Sequence, residues 1–282
     1  MRTWNNVAII GVGLIGGSIG LALRERKLAG HVIGIGRREA SLQAALARDC
    51  VTQTTTDIAV GVRQADLIIV CTPVDSIARF VQEAAAHCSP NCLITDAGST
   101  KEQIVTAVEA ACLKQSFIGS HPIAGSEKNG SEAATADLFN NRVAVITSTA
   151  KTNSAAITTI NDFWQSLGSR VIEMSPAEHD AILARTSHLP HLLASALAAA
   201  TSADDQTLAL TGPGWSDTTR IAASEPDLWR EIFLANRGAT LKALADFETV
   251  LKTWREALLS ANGPQITALL QEGKRRRDAL GS

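Results

Sequence analysis

Val7-Ala8-Ile9-Ile10-Gly11-Val12-Gly13-Leu14-Ile15-Gly16, with helical periodicity from Ser18 to Arg26, is the stretch on which the fold turns. An unbroken branched apolar run is what a strand buried on both faces of a parallel sheet requires. The run passes straight into G-x-G-x-x-G and then into a helix. In that setting Gly11 permits the tight turn, Gly13 lets a pyrophosphate approach the backbone, and Gly16 lets the helix pack on the strand. The helix N-terminus, opened by Leu14 and Ile15, then faces the phosphates. Gly11, Gly13, Leu14, Ile15 and Gly16 are therefore expected to bind a dinucleotide.

Outward from this unit, a second strand, His31 to Ile35, should end where the cofactor's ribose is read. An acid there would accept hydrogen bonds from the ribose hydroxyls of NAD. The chain instead has Gly36-Arg37-Arg38, with an acid, Glu39, one step late. Without a carboxylate a 2′-phosphate is not repelled, and an arginine offers it a bidentate partner. The expected cofactor is NADP rather than NAD, with Arg37 ahead of Arg38 as the phosphate ligand.

Strand and helix signals then alternate through Leu67 to Cys71, Leu93 to Thr95, Phe117-Ile118, Val143 to Ile146 and Val171-Ile172. This β-α alternation predicts an α/β fold with an N-terminal doubly wound, Rossmann-like dinucleotide-binding domain. Ligands of such sheets gather outside the carboxyl ends of the strands. Thr72, Ser99, Lys101 and His121 all fall at those ends, so they should share one crevice with the nicotinamide, Thr72 and Ser99 on the cofactor's side. His121 follows Phe117-Ile118 in a stretch of Gly, Pro and Ser that any strand-ending turn uses. Alone, it reads more readily as a polar surface residue than as a catalytic group.

The pattern changes after Ser175. From Pro176 to Ala200, and again near Asp227 to Asn236, Gly238 to Leu259 and Pro264 to Leu280, the spacing is helical and Ala and Leu dominate. The expected organisation is a dinucleotide-binding domain over 1–174 and an all-helical substrate and dimerisation domain over 175–282. His179, His188 and His191 fall in the helical part, with Arg220 beyond. His188 and His191 share a helix face, which suits either a helix interface or a metal. No adjacent carboxylate pair completes a metal set, so none is expected.

Composition excludes several functions. With 45% hydrophobic and 19% charged residues the chain is globular rather than disordered. A net charge of −2 argues against nucleic acid as the main partner. Arg275-Arg276-Arg277 suits a helix C-terminus instead. No apolar run approaches the roughly 20 residues of a membrane span, and Met1 to Asn6 lacks the pattern of a secretion signal. A cytoplasmic protein is expected. The five scattered cysteines read as reduced structural thiols, since the Cys88–Cys92 spacing has no second pair to complete a zinc site.

Taken in order, several blocks resemble the prephenate and arogenate dehydrogenases of tyrosine biosynthesis. They are Gly11 to Gly16, Asp96-Ala97-Gly98-Ser99-Thr100-Lys101, His121-Pro122-Ile123-Ala124-Gly125, Ser187-His188-Leu189-Pro190-His191, and Asp217 to Ala222 with Trp229 beyond. The sequence departs from the family at Ile123, often Met, and at Ser126, often Thr. The acid usual after the second strand is also missing.

The resemblance implies oxidative decarboxylation of a cyclohexadienol with hydride transfer to the nicotinamide. His121 would then be the base for the C4 hydroxyl and Ser99 would hold that hydroxyl or orient the imidazole. Arg220 would bind the ring carboxylate, His191 the substrate side chain, with His188 beside it, and Lys101 would keep the crevice positive. Family members that use NADP tend to act on arogenate, so arogenate is preferred here over prephenate. Two other readings stand beside this one: a β-hydroxyacid or imine reductase, and an NADP-sensing regulator without catalysis. The apolar helices suggest a homodimer through the C-terminal domain. The chain's short ends leave no room for a fused mutase or a regulatory domain.

Overall fold

A computed structural model gives the conformation of residues 3–125 and 130–281; Ser126 lies outside the described residues. The chain forms β1 (Trp4–Ile10), α1 (Leu14–Glu25), β2 (Ala29–Ile35), α2 (Glu39–Ala47), β3 (Gln53–Thr55), α3 (Ile58–Val62) and β4 (Leu67–Val70). It continues as α4 (Val74–His87), β5 (Leu93–Asp96), α5 (Glu102–Ala110), β6 (Ser116–Pro122), β7 (Val143–Thr147), α6 (Ser154–Ser166) and β8 (Arg170–Met174).

The strands form one sheet in the order β3-β2-β1-β4-β5-β6-β7-β8. From β3 to β6 all neighbours run parallel. The strand order reverses at β1, so β1 and β4 part at their carboxyl ends and leave a crevice there. Period-2 alternation sorts the apolar side chains to the two faces. Val7, Ile9, Leu67 and Ile69 belong to one core and Ala8, Ile10, Ile68 and Val70 to the other.

Two features depart from the expected alternation. β3 is a three-residue edge strand of polar residues, too short and too polar to carry an alternating signal. The sheet also changes direction, because β7 pairs antiparallel with β6 while β8 continues parallel to β7. As a result β6 runs on through Pro122, with His121 opposite Val145. His121 is therefore on a strand rather than in the turn expected for it.

Beyond β8 the chain is helical: α7 (Pro176–Leu183), a π-helical turn (Ala184–His188), α8 (Leu189–Ala200), α9 (Asp205–Ala209), α10 (Pro213–Thr219), a 3₁₀ turn (Arg220–Ala223) and α11 (Pro226–Ala235). α7 starts at a complete capping box, Ser175 with Glu178, and has Pro176 in its first turn. α7 packs on α5 and β7, and α11 packs on α4. The compact units are Met1–Asn236 and Arg237–Ser282.

The second unit consists of α12 (Arg237–Leu259) and α13 (Gly263–Asp278), which pack on each other. Leu241, Val250, Leu251, Leu258, Leu259 and Leu270 are exposed. The three arginines sit in the last turn of α13, where Arg275 and Arg276 pair with Glu272. Among the described residues no helix is long and apolar enough to cross a membrane.

Candidate active site

The crevice between β1 and β4 is a cleft of about 680 Å³. Gly11, Gly13, Arg37, Arg38, Thr72 and Ser76 are among its walls. The glycines there are needed for different reasons. Gly11 has φ +95° and a Cβ on it would stand 2.7 Å from the Cys71 carbonyl oxygen. A Cβ on Gly16 would meet the Gly11 carbonyl oxygen at 2.2 Å, so this glycine closes the turn on α1. Around Gly13 nothing lies within 4 Å. Its bareness serves no internal contact and suits the approach of a ligand.

The N-terminus of α1 has no side-chain cap and no acid in its first turn, which Leu14, Ile15 and Gly16 form. Its free N–H groups and its dipole suit a pyrophosphate. At the ribose end Arg37 and Arg38 line the cleft with Ser41. The Glu39 carboxylate instead accepts a hydrogen bond from Gln43 within α2, at 2.7 Å. The residues present fit a nicotinamide dinucleotide.

Two strands beyond β4, near the carboxyl end of β6 and outside the walls of that cleft, His121 begins a chain of hydrogen bonds. Its Nδ1 lies 2.9 Å from Nε2 of His179, and Nδ1 of His179 lies 2.7 Å from Oδ1 of Asp180. His179 and Asp180 are buried. The Asp180 carboxylate also accepts the backbone N–H groups of Lys101 at 2.8 Å and Glu102 at 2.9 Å. It therefore caps α5 from another element, an anion at a helix N-terminus.

On the far side, Asn236 Nδ2 donates to the Asp180 carbonyl at 2.8 Å and lies 3.1 Å from His188 Nδ1. His191 stacks on Trp229, with ring centroids 3.5 Å apart and 8° between the planes. Nine residues at 100° each would put His179 and His188 on opposite sides of an α-helix. The wider π-helical turn alters that phase and turns His188 towards Asn236.

Lys101 does not stand in the crevice. Its side chain is fully buried and its ammonium pairs with Asp96, whose carboxylate also accepts the Ser120 and Gly98 N–H groups. Burial pushes the Lys101 ammonium down, against the pull of Asp96 and then Asp180. Lys101 thus supplies fixed positive charge from beneath the site and cannot touch a substrate in this arrangement. Ser99 is partly exposed in the loop between β5 and α5. Arg220 is exposed at the start of the 3₁₀ turn that packs on α8.

Burial first, and then the repulsion that His179, Lys101 and His188 exert when positively charged, hold the His121 imidazolium well below the usual histidine range. His121 is therefore neutral at pH 7, as a base must be. Burial takes His188 to about 4 against the attraction of Asp180, and lowers His191 as well. Among the described residues no cluster of three or more His, Cys, Asp or Glu is placed to hold a metal.

Residues 19–173 match the profile of the prephenate dehydrogenase nucleotide-binding domain, and residues 175–272 that of the prephenate dehydrogenase dimerization domain. A cyclohexadienyl dehydrogenase of Zymomonas mobilis is 34% identical over 99% of this chain and 97% of its own. The chain belongs to the prephenate and arogenate dehydrogenase family.

Solved structures of this family agree. Prephenate dehydrogenase from A. aeolicus, in complex with hydroxyphenyl propionate and NAD+, superposes with a TM-score of 0.91 at 31% identity, covering 98% of each chain. Synechocystis arogenate dehydrogenase does so with a TM-score of 0.85 at 28% identity, covering 98% of this chain and 99% of its own. As a prephenate/arogenate dehydrogenase the protein is an oxidoreductase that decarboxylates its substrate oxidatively with a nicotinamide dinucleotide.

Sequence motifs mark His121, Ser99, His188, His191 and Arg220 as candidates. They do not single out Asp180, Asn236, the pairing of Asp96 with Lys101 or that of His179 with His121. The His179-Asp180 dipeptide next to the capping box is a visible signal of a histidine held by a carboxylate. Its partner, 58 positions earlier in the chain, is supplied by the fold.

Proposed function

We propose that this dehydrogenase converts arogenate to tyrosine in preference to converting prephenate to 4-hydroxyphenylpyruvate, with NADP as oxidant and His121 as general base. When bound, the nicotinamide accepts the hydride from ring C4. His121 Nε2 takes the proton of the C4 hydroxyl as that carbon is oxidised. Carbon dioxide leaves C1, its bonding pair enters the ring, and the phenolate recovers the proton from the imidazolium. Ser99 holds the hydroxyl or orients the imidazole.

Arg220 presents a guanidinium fork to the ring carboxylate. It is exposed at the start of the 3₁₀ turn. His191, held flat against Trp229 with His188 behind, meets the side chain of the substrate. Lys101 acts from a distance, its buried charge opposing protonation of His121. Arg37, with Arg38 beside it, binds the 2′-phosphate, and Thr72, just after β4, contacts the cofactor towards its nicotinamide. The helical region, matched by a dimerization profile, joins two copies in a homodimer of the cytoplasm.

The observation that carries this reading is His121 itself, a neutral imidazole on β6 whose Nδ1 is held by His179. A two-by-two assay of arogenate and prephenate with NADP and NAD, following reduced cofactor, tests it. The highest kcat/KM is expected for arogenate with NADP. Equal efficiency with NAD and NADP would remove the role of Arg37, and higher efficiency with prephenate would reverse the substrate.

A further inference from the structure

We infer that His179 and Asp180 are positioning residues that fix the tautomer of His121, so that its Nε2 carries the lone pair offered to the substrate. The inference deepens the reading of His121 as the base and rests on it.

The argument starts at the carboxylate. Asp180 already accepts two backbone N–H groups at the start of α5, so it is an acceptor and its third bond must come from a donor. Nδ1 of His179, 2.7 Å from Oδ1, must therefore carry a hydrogen. A neutral imidazole holds one N–H only. Nε2 of His179 is then an acceptor, and His121 Nδ1, at 2.9 Å, must donate to it. That places the hydrogen of neutral His121 on Nδ1 and leaves Nε2 bare.

An imidazole free in water prefers the opposite arrangement, with the hydrogen on Nε2, which cannot accept a proton there. Holding the less favoured form requires an acceptor fixed in place, and His179 is fixed from both sides. It is fully buried, its ring meets His121 edge to face with centroids 5.1 Å apart, and Asp180 is anchored to α5 and, through its carbonyl, to Asn236. When His121 takes the substrate proton, the same acceptor stabilises the imidazolium through its Nδ1–H. The other groups facing His121 are Lys101, which carries its charge, and His188, neutral here; positive charge on either opposes protonation of His121.

The other side of Asp180 repeats the logic. Its carbonyl accepts only, so the Asn236 nitrogen faces it, and that nitrogen also donates to His188 Nδ1. His188 is thereby left with its hydrogen on Nε2, a donor, while His121 presents an acceptor. One residue of α7 sets opposite polarities on two histidines of the site.

Two-bond ¹H–¹⁵N spectra of the protein labelled in histidine read the tautomers directly, with H121N assigning the His121 signals. The wild type is expected to show His121 protonated on Nδ1, and H179A to move it towards the Nε2-protonated form. Turnover of H179A should fall by about a hundredfold with substrate KM and cofactor Kd within about twofold. H179Q, whose carbonyl can replace the lost acceptor, should regain most of that loss.

A wild-type His121 protonated on Nε2 would overturn the inference, as would a tautomer unmoved in H179A. So would H179Q no faster than H179A when both melt like the wild type. If H179A does not fold, the wild-type spectrum and H179Q decide. The expected spectra with no reduced cofactor formed from either substrate would support the positioning role and overturn the dehydrogenase reading instead.

Discussion

The dinucleotide cleft and the histidine cluster are built in different ways. The cleft is made of main chain and of residues adjacent in sequence. Gly11, Gly13 and the bare N-terminus of α1 form its floor, and Arg37 and Arg38 follow directly on β2. The cluster gathers β6, α5, α7, the π-helical turn and α11, and its members are buried side chains that order one another. A backbone site tolerates changes of side chain and fails when a Cβ intrudes. A buried polar network fails when any one partner is lost, because the remaining groups have no water to turn to.

The sharpest test of the contrast is removal of the proposed base. His121→Asn should lower kcat by about 10² to 10⁴-fold, the usual loss for a general base, while cofactor titration by fluorescence is unchanged. Loss of cofactor binding together with turnover would mean that the two regions are not separate.

Next in size is a pair of glycines within one motif and its helix. A Cβ on Gly20 would lie 1.9 Å from the Cys50 carbonyl oxygen, whereas one on Gly13 meets nothing within 4 Å. Gly20→Ala should cost roughly 3 kcal/mol or more of stability, at the upper end for overpacking. Gly13→Ala should leave the melting temperature in place and raise the cofactor Kd by about tenfold, roughly 1.4 kcal/mol. Denaturant titration and cofactor binding of both variants separate the effects. A Gly13→Ala protein that binds cofactor normally would remove the fit argued for the cleft.

The last test concerns the cluster in the absence of any ligand, where the loss is gradual with pH. His188 is lowered to about 4 in the folded protein, against about 6.5 when unfolded. Below 6.5 the unfolded chain binds the proton that the folded one refuses. Stability is therefore full above that pH and falls as pH drops towards 4, by at most roughly 3 kcal/mol. His121, shifted the same way, adds to the slope. Urea unfolding at pH 7 and at pH 4.5 measures the loss, and H188Q should flatten part of it. An unchanged midpoint between the two pH values would mean that the cluster is hydrated rather than buried.

The sequence by itself determined the first unit of the sheet, because strand, turn and helix of a glycine-rich βα junction are local and each has a local signature. The same is true of the arginines after β2 and of α6, α7, α11, α12 and α13, whose periodicity is intrinsic. It also marked His121, His188, His191 and Arg220, through an ordered set of motifs. Only the tertiary structure decided that β7 reverses and carries His121 along a strand, that Lys101 is buried on Asp96, and that α7 to α11 join the first compact unit. It alone brought His179 to His121, because hydrogen-bond partners separated by 58 positions are set by how the sheet and α7 pack. No periodicity along the chain encodes that contact.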